Sequence, residues 1–261
     1  MRFSAVSLVL LACGGAPASA GTTAPAMSTP RNGEAASTGA ASTGALRAED
    51  APPEGCAERW TALDREAGQT AVKVAMVRAS VGPCGSEDRR RAASVLCAEL
   101  LEEAPRVQEG WVACGHLLEA GEEHARAMRH YRRARELDPE GAAGREALRS
   151  AASLALRFRD FVTAAELYGA WAEAAPGDAR AWWGLAVARR GRGDSSSAVA
   201  ALRRSLALEP APGRRFQLAL WLREGGAMEE AALELRRFLA ETADAPTFAD
   251  ARAEARELLA E

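Results

Sequence analysis

The sequence predicts an all-α fold, an α-solenoid of stacked helix-turn-helix units, from two observations. Apolar, Arg-rich runs each end at a proline, and these prolines lie 34, 37 and 34 residues apart: Pro105, Pro139, Pro176 and Pro210. Because proline lacks a backbone N–H and disfavours a helical residue before it, each of them marks a helix end. A helix end that recurs about every 34 residues is typical of a repeat array. The aromatic content of 5% also suits Ala- and Leu-rich helices better than a β-sandwich.

The first residues, 1–12, are predicted to be a secretory signal peptide. An apolar run follows Arg2; it is typical of such a signal and too short to cross a bilayer, which takes about 20 residues. The residues LLAC, Leu10–Cys13, resemble the lipobox of bacterial lipoproteins. That resemblance implies lipidation of Cys13, and Gly14 after it implies a place in the outer membrane, facing the periplasm. The alternative is a cytosolic protein without lipid.

Residues 13–54 are predicted to form a disordered tether. The segment consists largely of Ala, Ser, Thr, Gly and Pro, and it contains two copies of ASTGA. Such a composition does not bury enough apolar area to offset the entropy of ordering the chain. A random coil of this length spans roughly 35 Å, which would hold the folded part clear of a lipid surface.

The segment 108–144 contains the clearest repeat. It begins QEGWVACGHLLEAGEEHARAMRHYRRARELDP and resembles the tetratricopeptide repeat, a helix-turn-helix unit. The first helix carries an apolar stripe at i, i+3, i+4 and i+7, formed by Trp111, Cys114, Gly115 and Leu118. The second helix carries a stripe formed by Ala127, Tyr131 and Ala134. The small residues Gly115 and Ala127 are expected to let the two helices approach closely.

Three further repeats are predicted at 145–178, 179–211 and 212–245. The last is degenerate, because Arg215 stands at its fourth place, where a large apolar residue is usual. Three extra residues precede the first of them, and they are expected to lengthen the loop at 141–144. This resemblance therefore implies a solenoid of stacked tetratricopeptide repeats.

Capping segments are expected at both ends of the array, since terminal repeats need a polar outer face. Residues 55–107 are predicted to form an N-terminal helical cap and a degenerate repeat, in which Ser86 is the N-cap of a helix ending near Ala104. Residues 246–261 are predicted to form a C-terminal capping helix. Its apolar side consists of Phe248, Ala251, Ala255, Leu258 and Leu259.

The resemblance implies a protein that binds other proteins and is not an enzyme. In tetratricopeptide proteins the first helices line a concave groove that takes a peptide or a helix, chiefly at the fifth and ninth places of each unit. Those places, with an arginine one turn further on in two units, are Val112, His116, Arg149, Ser153, Trp183, Val187, Arg190, Phe216, Leu220 and Arg223. Trp182 is assigned to the core. The alternative for Trp183 and Phe216 is packing beneath neighbouring units or the capping helix.

The cysteines suggest disulfides, because their number beyond Cys13 is even, as expected for an exported protein. Cys56 and Cys84 lie in loop-like sequence, and a bridge between them would close a loop of 28 residues. Cys97 and Cys114 occupy core places on adjacent helices. The sequence leaves two alternatives for them, a second disulfide or two buried thiols.

No pattern in the sequence points to catalysis, a cofactor or a metal. The chain has only three histidines and lacks HExxH, GxSxG, a P-loop and a glycine-rich dinucleotide motif. A net charge of −3 gives no indication of binding to nucleic acid. The sequence thus predicts a scaffold in the cell envelope, with a soluble cytosolic adaptor or regulator as the alternative.

Overall fold

A computed structural model describes residues 69–260, together with residues 55, 56, 58, 59 and 61. The predicted signal peptide, Cys13 and the tether lie outside the described residues. Within the described residues all regular structure is helical, and no strand occurs. The predicted all-α fold is confirmed.

Eleven α-helices follow one another in residues 69–260, with one short 3₁₀ turn before the last. Their bounds are α1 Thr70–Val81, α2 Glu87–Glu103, α3 Gln108–Ala120, α4 His124–Leu137, α5 Ala142–Arg157, α6 Phe161–Ala174, α7 Ala179–Gly191, α8 Ser195–Leu208, α9 Pro212–Glu224, α10 Met228–Glu241 and α11 Ala249–Ala260. Each helix packs against the next one in the chain. Helices α1, α3, α5 and α7 also contact one another in succession, which is the packing of a solenoid of helix pairs.

The helix pairs follow the predicted repeats, with one difference. Helix α5 begins at Ala142, so the expected loop at 141–144 is largely the first turn of that helix. Gly144 explains the difference, because a Cβ there would lie closer than 3.0 Å to the carbonyl oxygen of Asp138. The glycine lets α5 start directly against the end of the preceding unit.

Of the stripe predicted for α3, Cys114 and Gly115 are buried, whereas Trp111 and Leu118 are half-buried. The stripe predicted for α4 lies in the core. Ala127, Tyr131 and Ala134 of α4 are fully buried. A Cβ on Gly115 would lie closer than 3.0 Å to the ring of Tyr131, so α3 and α4 touch at a point where only glycine fits. Upstream, Ser86 accepts a hydrogen bond from the N–H of Arg89 and so caps α2, as predicted.

Four inter-helix turns share one backbone geometry. The residue with positive φ is Glu122, Arg159, Gly193 or Gly226. In each turn the N–H of the following residue donates to the carbonyl five residues earlier, as from Asp194 to Arg189 at 3.0 Å. This is the arrangement of a Schellman motif, which ends a helix on a left-handed residue.

Both ends of the array are held in place. Cys56 is bonded to Cys84, and Cys97 to Cys114, so the second bridge joins α2 to α3. At the other end α11 packs on α10 and shares an apolar cluster with Phe216 and Phe238. The cluster members from the C-terminal segment are those expected from the sequence: Phe248, Ala251, Ala255, Leu258 and Leu259.

Candidate functional site

The predicted binding residues lie on the first helix of each pair, α3, α5, α7 and α9. Within a unit they lie four residues apart, and on α7 and α9 an arginine follows three residues later, so they share one helix face. We call this the first-helix face. Successive first helices bring these faces next to one another, but the individual side chains differ in what surrounds them.

Val112 is not accessible to a partner, and its prediction as a groove residue is wrong. Its side chain is 0% exposed and packs in a cluster with Tyr131 of α4 and with Ala147 and Leu154 of α5. The alanines of α5 let that helix sit close against α3, and the close contact covers Val112.

Phe216 and Arg223 are engaged by the C-terminal end of the chain. The ring of Phe216 lies 5.0 Å from the ring of Phe238, in the cluster that α11 completes. Arg223 Nη1 donates to the carbonyl oxygen of Leu258 at 2.9 Å. For Phe216, packing with the capping helix is therefore the arrangement found, because α11 occupies the position that a further repeat would take.

The N-terminal part of the face, on α3 and α5, is a polar network. His116 Nε2 lies 2.9 Å from Ser150 Oγ. Arg78 of α1 makes two hydrogen bonds of 2.9 Å to Glu146 of α5. These bonds link the first helix pair to the third, across the pair between them. Arg157 Nη2 donates to Glu119 at 2.7 Å.

Burial and pairing set the titration of this network. Burial lowers the pKa of His116. Burial alone would raise the pKa of Glu146, but the hydrogen bonds and positive charge of Arg78 lower it overall. Burial, together with the charge of Glu119, raises the pKa of Tyr131, whose hydroxyl donates to Glu119 at 2.8 Å. The network is therefore charged at Glu146 and neutral at His116 near neutral pH.

Arg149 and Ser153 lie on α5 between this network and the next helix. Ser153 Oγ is 3.4 Å from the hydroxyl of Tyr168. Arg149 is half-buried, and within the described part of the chain it makes no hydrogen bond or ion pair.

The C-terminal part of the face, on α7 and α9, is aromatic and apolar. The rings of Trp183 and Trp221 are stacked, with centroids 6.2 Å apart and planes at 14°. The guanidinium of Arg190 lies 5.7 Å from the Trp221 centroid and pairs with Glu224. Val187 packs partly buried beside Trp183.

Leu220 of α9 is half-buried on the same face. We call the four residues Trp183, Val187, Arg190 and Leu220 the aromatic surface. Sequence reasoning missed Trp221, which is buried and stacks on Trp183 of this surface, because its place in the unit is not part of the repeat pattern. Trp182, which the sequence assigned to the core, is half-buried like Trp183 and packs against the core cluster. Its Nε1 donates a hydrogen bond to the carbonyl of Pro176 at 3.0 Å.

The described residues contain no group of three or more potential metal ligands. None of the described helices combines the length and the hydrophobicity that a membrane-spanning segment requires.

Comparisons with known proteins identify the architecture. No family model matches the chain, and no curated protein matches it. A crystal structure of MamA protein has a TM-score of 0.59 at 14% identity, covering 69% of this chain and 95% of that one. MamA 41-end from Desulfovibrio magneticus RS-1 has a TM-score of 0.56 at 19% identity, covering 66% and 97%.

YrrB, described as a TPR protein with an unusual peptide-binding site, has a TM-score of 0.50 at 21% identity, covering 62% of this chain and 86% of that one. The fold is of the tetratricopeptide-repeat type. At these identities the comparisons establish the fold alone.

Proposed function

We propose that this chain is a non-enzymatic scaffold of the bacterial cell envelope that binds a peptide or helix of a partner protein on its aromatic surface. The observation that carries the proposal is the half-buried Trp183 beside Val187, Arg190 and Leu220. Trp and Arg are enriched among the residues that contribute most of the binding energy in protein interfaces. The structural similarity to YrrB, which is described as having a peptide-binding site, supports the same type of function.

Several residues on the rest of the first-helix face are not available to a partner, which restricts the region where it can bind. Val112 is buried, and Phe216 packs with α11, so neither offers a free surface. On α3 and α5 the polar groups of His116 and Glu119 bind other side chains of the same protein. The partner is therefore expected to lie across α7 and α9, with one edge on α5.

The location in the envelope is proposed from the lipobox-like residues before Cys13 and is supported by two disulfides. Disulfides persist in oxidising compartments such as the periplasm and are rare in the cytosol. Cys56–Cys84 and Cys97–Cys114 are both bonded, which argues against the alternative of a cytosolic adaptor. With a lipid on Cys13, the repeats would face the periplasm from the outer membrane.

Membrane fractionation tests the lipid anchor. The wild-type protein should sediment with outer membranes, and Cys13→Ala should move it to the soluble fraction while the repeats stay folded by circular dichroism. Cys56→Ala serves as the control, because it removes a cysteine outside the lipobox-like residues. Equal sedimentation of wild type and Cys13→Ala would rule out anchoring through Cys13.

Site-specific photo-cross-linking tests the binding surface. A photoreactive amino acid replaces Val187 on the aromatic surface, and in a matched control it replaces the exposed Ala200 of α8. A partner should be cross-linked in native cells at Val187, not at Ala200, and Trp183→Ala should abolish the product. Cross-linking at Ala200 alone would place the interface on the second helices and contradict the proposal.

A further inference from the structure

Four carboxylates on or directly before the first helices α3, α5, α7 and α9 are already paired with arginines of the same chain. Four ion pairs achieve this: Glu119 with Arg157, Glu146 with Arg78, Asp178 with Arg180, and Glu224 with Arg190. A cationic ligand would therefore have to compete with an existing ion pair for each of these carboxylates.

Arg149 is in the opposite situation. It is half-buried on α5, and no carboxylate within the described part of the chain lies in ion-pair distance of it. Its charge acts at longer range on Glu146 and Asp178, which both have other arginine partners. A half-buried guanidinium whose neighbouring carboxylates are each paired with another arginine can still take a carboxylate of a ligand, and such charge-assisted hydrogen bonds are about twice as strong as neutral ones.

Arg149 also lies beside the aromatic surface. Arg149 and Trp183 occupy the same fifth place of the successive first helices α5 and α7, which pack directly against each other. The axes of packed helices lie about 8–10 Å apart. An extended peptide covers this distance with about three residues.

We infer that the ligand of this face is an acidic–apolar peptide, whose carboxylate binds Arg149 while a large apolar side chain about three residues away packs on Trp183, Val187 and Leu220. The inference rests on the proposed function and specifies the partner of the same surface. The carboxylate comes from an Asp or Glu side chain or from the C-terminus of the partner.

Defined synthetic peptides test this chemistry. All contain a Leu-Trp pair and have a blocked N-terminus. One carries Asp about three residues before the pair and an amidated C-terminus. The second has Asn in place of that Asp, and the third has the same Asn but ends shortly after the pair in a free carboxylate. Affinity is measured by fluorescence anisotropy with the complete repeat array.

At least one carboxylate peptide should bind about tenfold more tightly than the amidated Asn peptide, and which one does so identifies the source of the carboxylate. Arg149→Gln should remove this difference and leave the affinity of the Asn peptide unchanged. Arg132→Gln, at an exposed arginine on α4, is the matched control and should retain the preference.

The outcomes separate this inference from the proposed function. If all three peptides bind equally and Trp183→Ala weakens all of them, the aromatic surface binds peptides but the acidic preference is overturned. If a preference exists and survives Arg149→Gln, the role of Arg149 is overturned. If no peptide binds, the inference fails, whereas cross-linking at Val187 still decides the proposed function independently.

Discussion

The ring of Tyr168 in α6 lies against Gly184 in α7, in space that the side chain of any other residue would enter. A Cβ on Gly184 would lie closer than 3.0 Å to three ring atoms of Tyr168. The contact joins one repeat to the next, because Tyr168 belongs to the second helix of one unit and Gly184 to the first helix of the following unit.

Gly184→Ala should therefore destabilise the protein by about 2 kcal/mol, because a packed tyrosine ring has no room to move away from the added methyl group. Gly169→Ala is the matched control. Gly169 also lies inside a helix, but nothing lies within 4 Å of a Cβ placed there, so this change should stabilise by about 0.5–1 kcal/mol through helix propensity. Urea unfolding measures both; equal effects of the two changes would contradict the contact.

Glu122→Gly should stabilise the protein by about 0.5–1 kcal/mol. Glu122 has a φ of 61° in the turn between α3 and α4, a conformation that costs non-glycine residues roughly 1–2 kcal/mol. Part of the gain is offset by the greater freedom of glycine in the unfolded chain. The reverse change, Gly193→Ala at a φ of 87°, should destabilise, and thermal unfolding compares the pair. A lower melting temperature for Glu122→Gly would show that the turn is not strained there.

Trp182→Ala should lower the free energy of unfolding by about 3 kcal/mol, because it removes a large side chain packed against the core and its hydrogen bond to Pro176. Trp182→Phe keeps most of the packing and loses the hydrogen bond. It should therefore cost about 1 kcal/mol, which is less than half of the loss for Trp182→Ala. Trp183 also packs against the core and stacks on Trp221 but makes no such hydrogen bond within the described residues, so Trp183→Ala should cost less, about 1–2 kcal/mol. Chemical denaturation of the three variants checks the order, and a larger loss for Trp183→Ala than for Trp182→Ala would reverse the assignment of core and surface.

Stability should fall as the pH is lowered from about 6.5. Burial lowers the pKa of both His116 and His130 in the folded protein. The unfolded chain therefore takes up protons first, and stability is lost until the pH reaches the lower folded pKa values. Unfolding measured between neutral and mildly acidic pH should show a shallower decline in the His116→Gln, His130→Gln double variant. An unchanged slope would exclude these histidines as the cause.

The helices and their core stripes were predictable from the sequence because they depend on local spacing. Ala127, Tyr131 and Ala134 recur at fixed intervals within one helix, and they are buried as a repeat requires. Val112 has the place of a groove residue, but its burial depends on how closely α5 approaches α3, which is set by small residues more than thirty positions away.

The candidate site was predictable only in part for the same reason. Trp183, Val187 and Leu220 follow from their places in the repeat. The ion pair of Arg78 with Glu146 joins residues 68 positions apart, and Trp221 stacks on Trp183 from the neighbouring unit. Contacts between units leave no mark in the pattern within one unit, so sequence periodicity did not indicate them.

The position of the two disulfides gives the array unequal mechanical strength along its length. If the chain is pulled by its two ends, the segments closed by Cys56–Cys84 and Cys97–Cys114, with sequence separations of 28 and 17 residues, cannot extend. This shortens the fully stretched chain by roughly 150 Å at 3.3–3.6 Å per residue. Helix pairs of a solenoid contact only their neighbours and can separate one after another, so we expect rupture to begin at α11 and to move toward the cross-linked end. Helices α7 and α9 lie in the part of the array without a disulfide. A ligand bound across both helices would hold them together and raise the force needed to separate them.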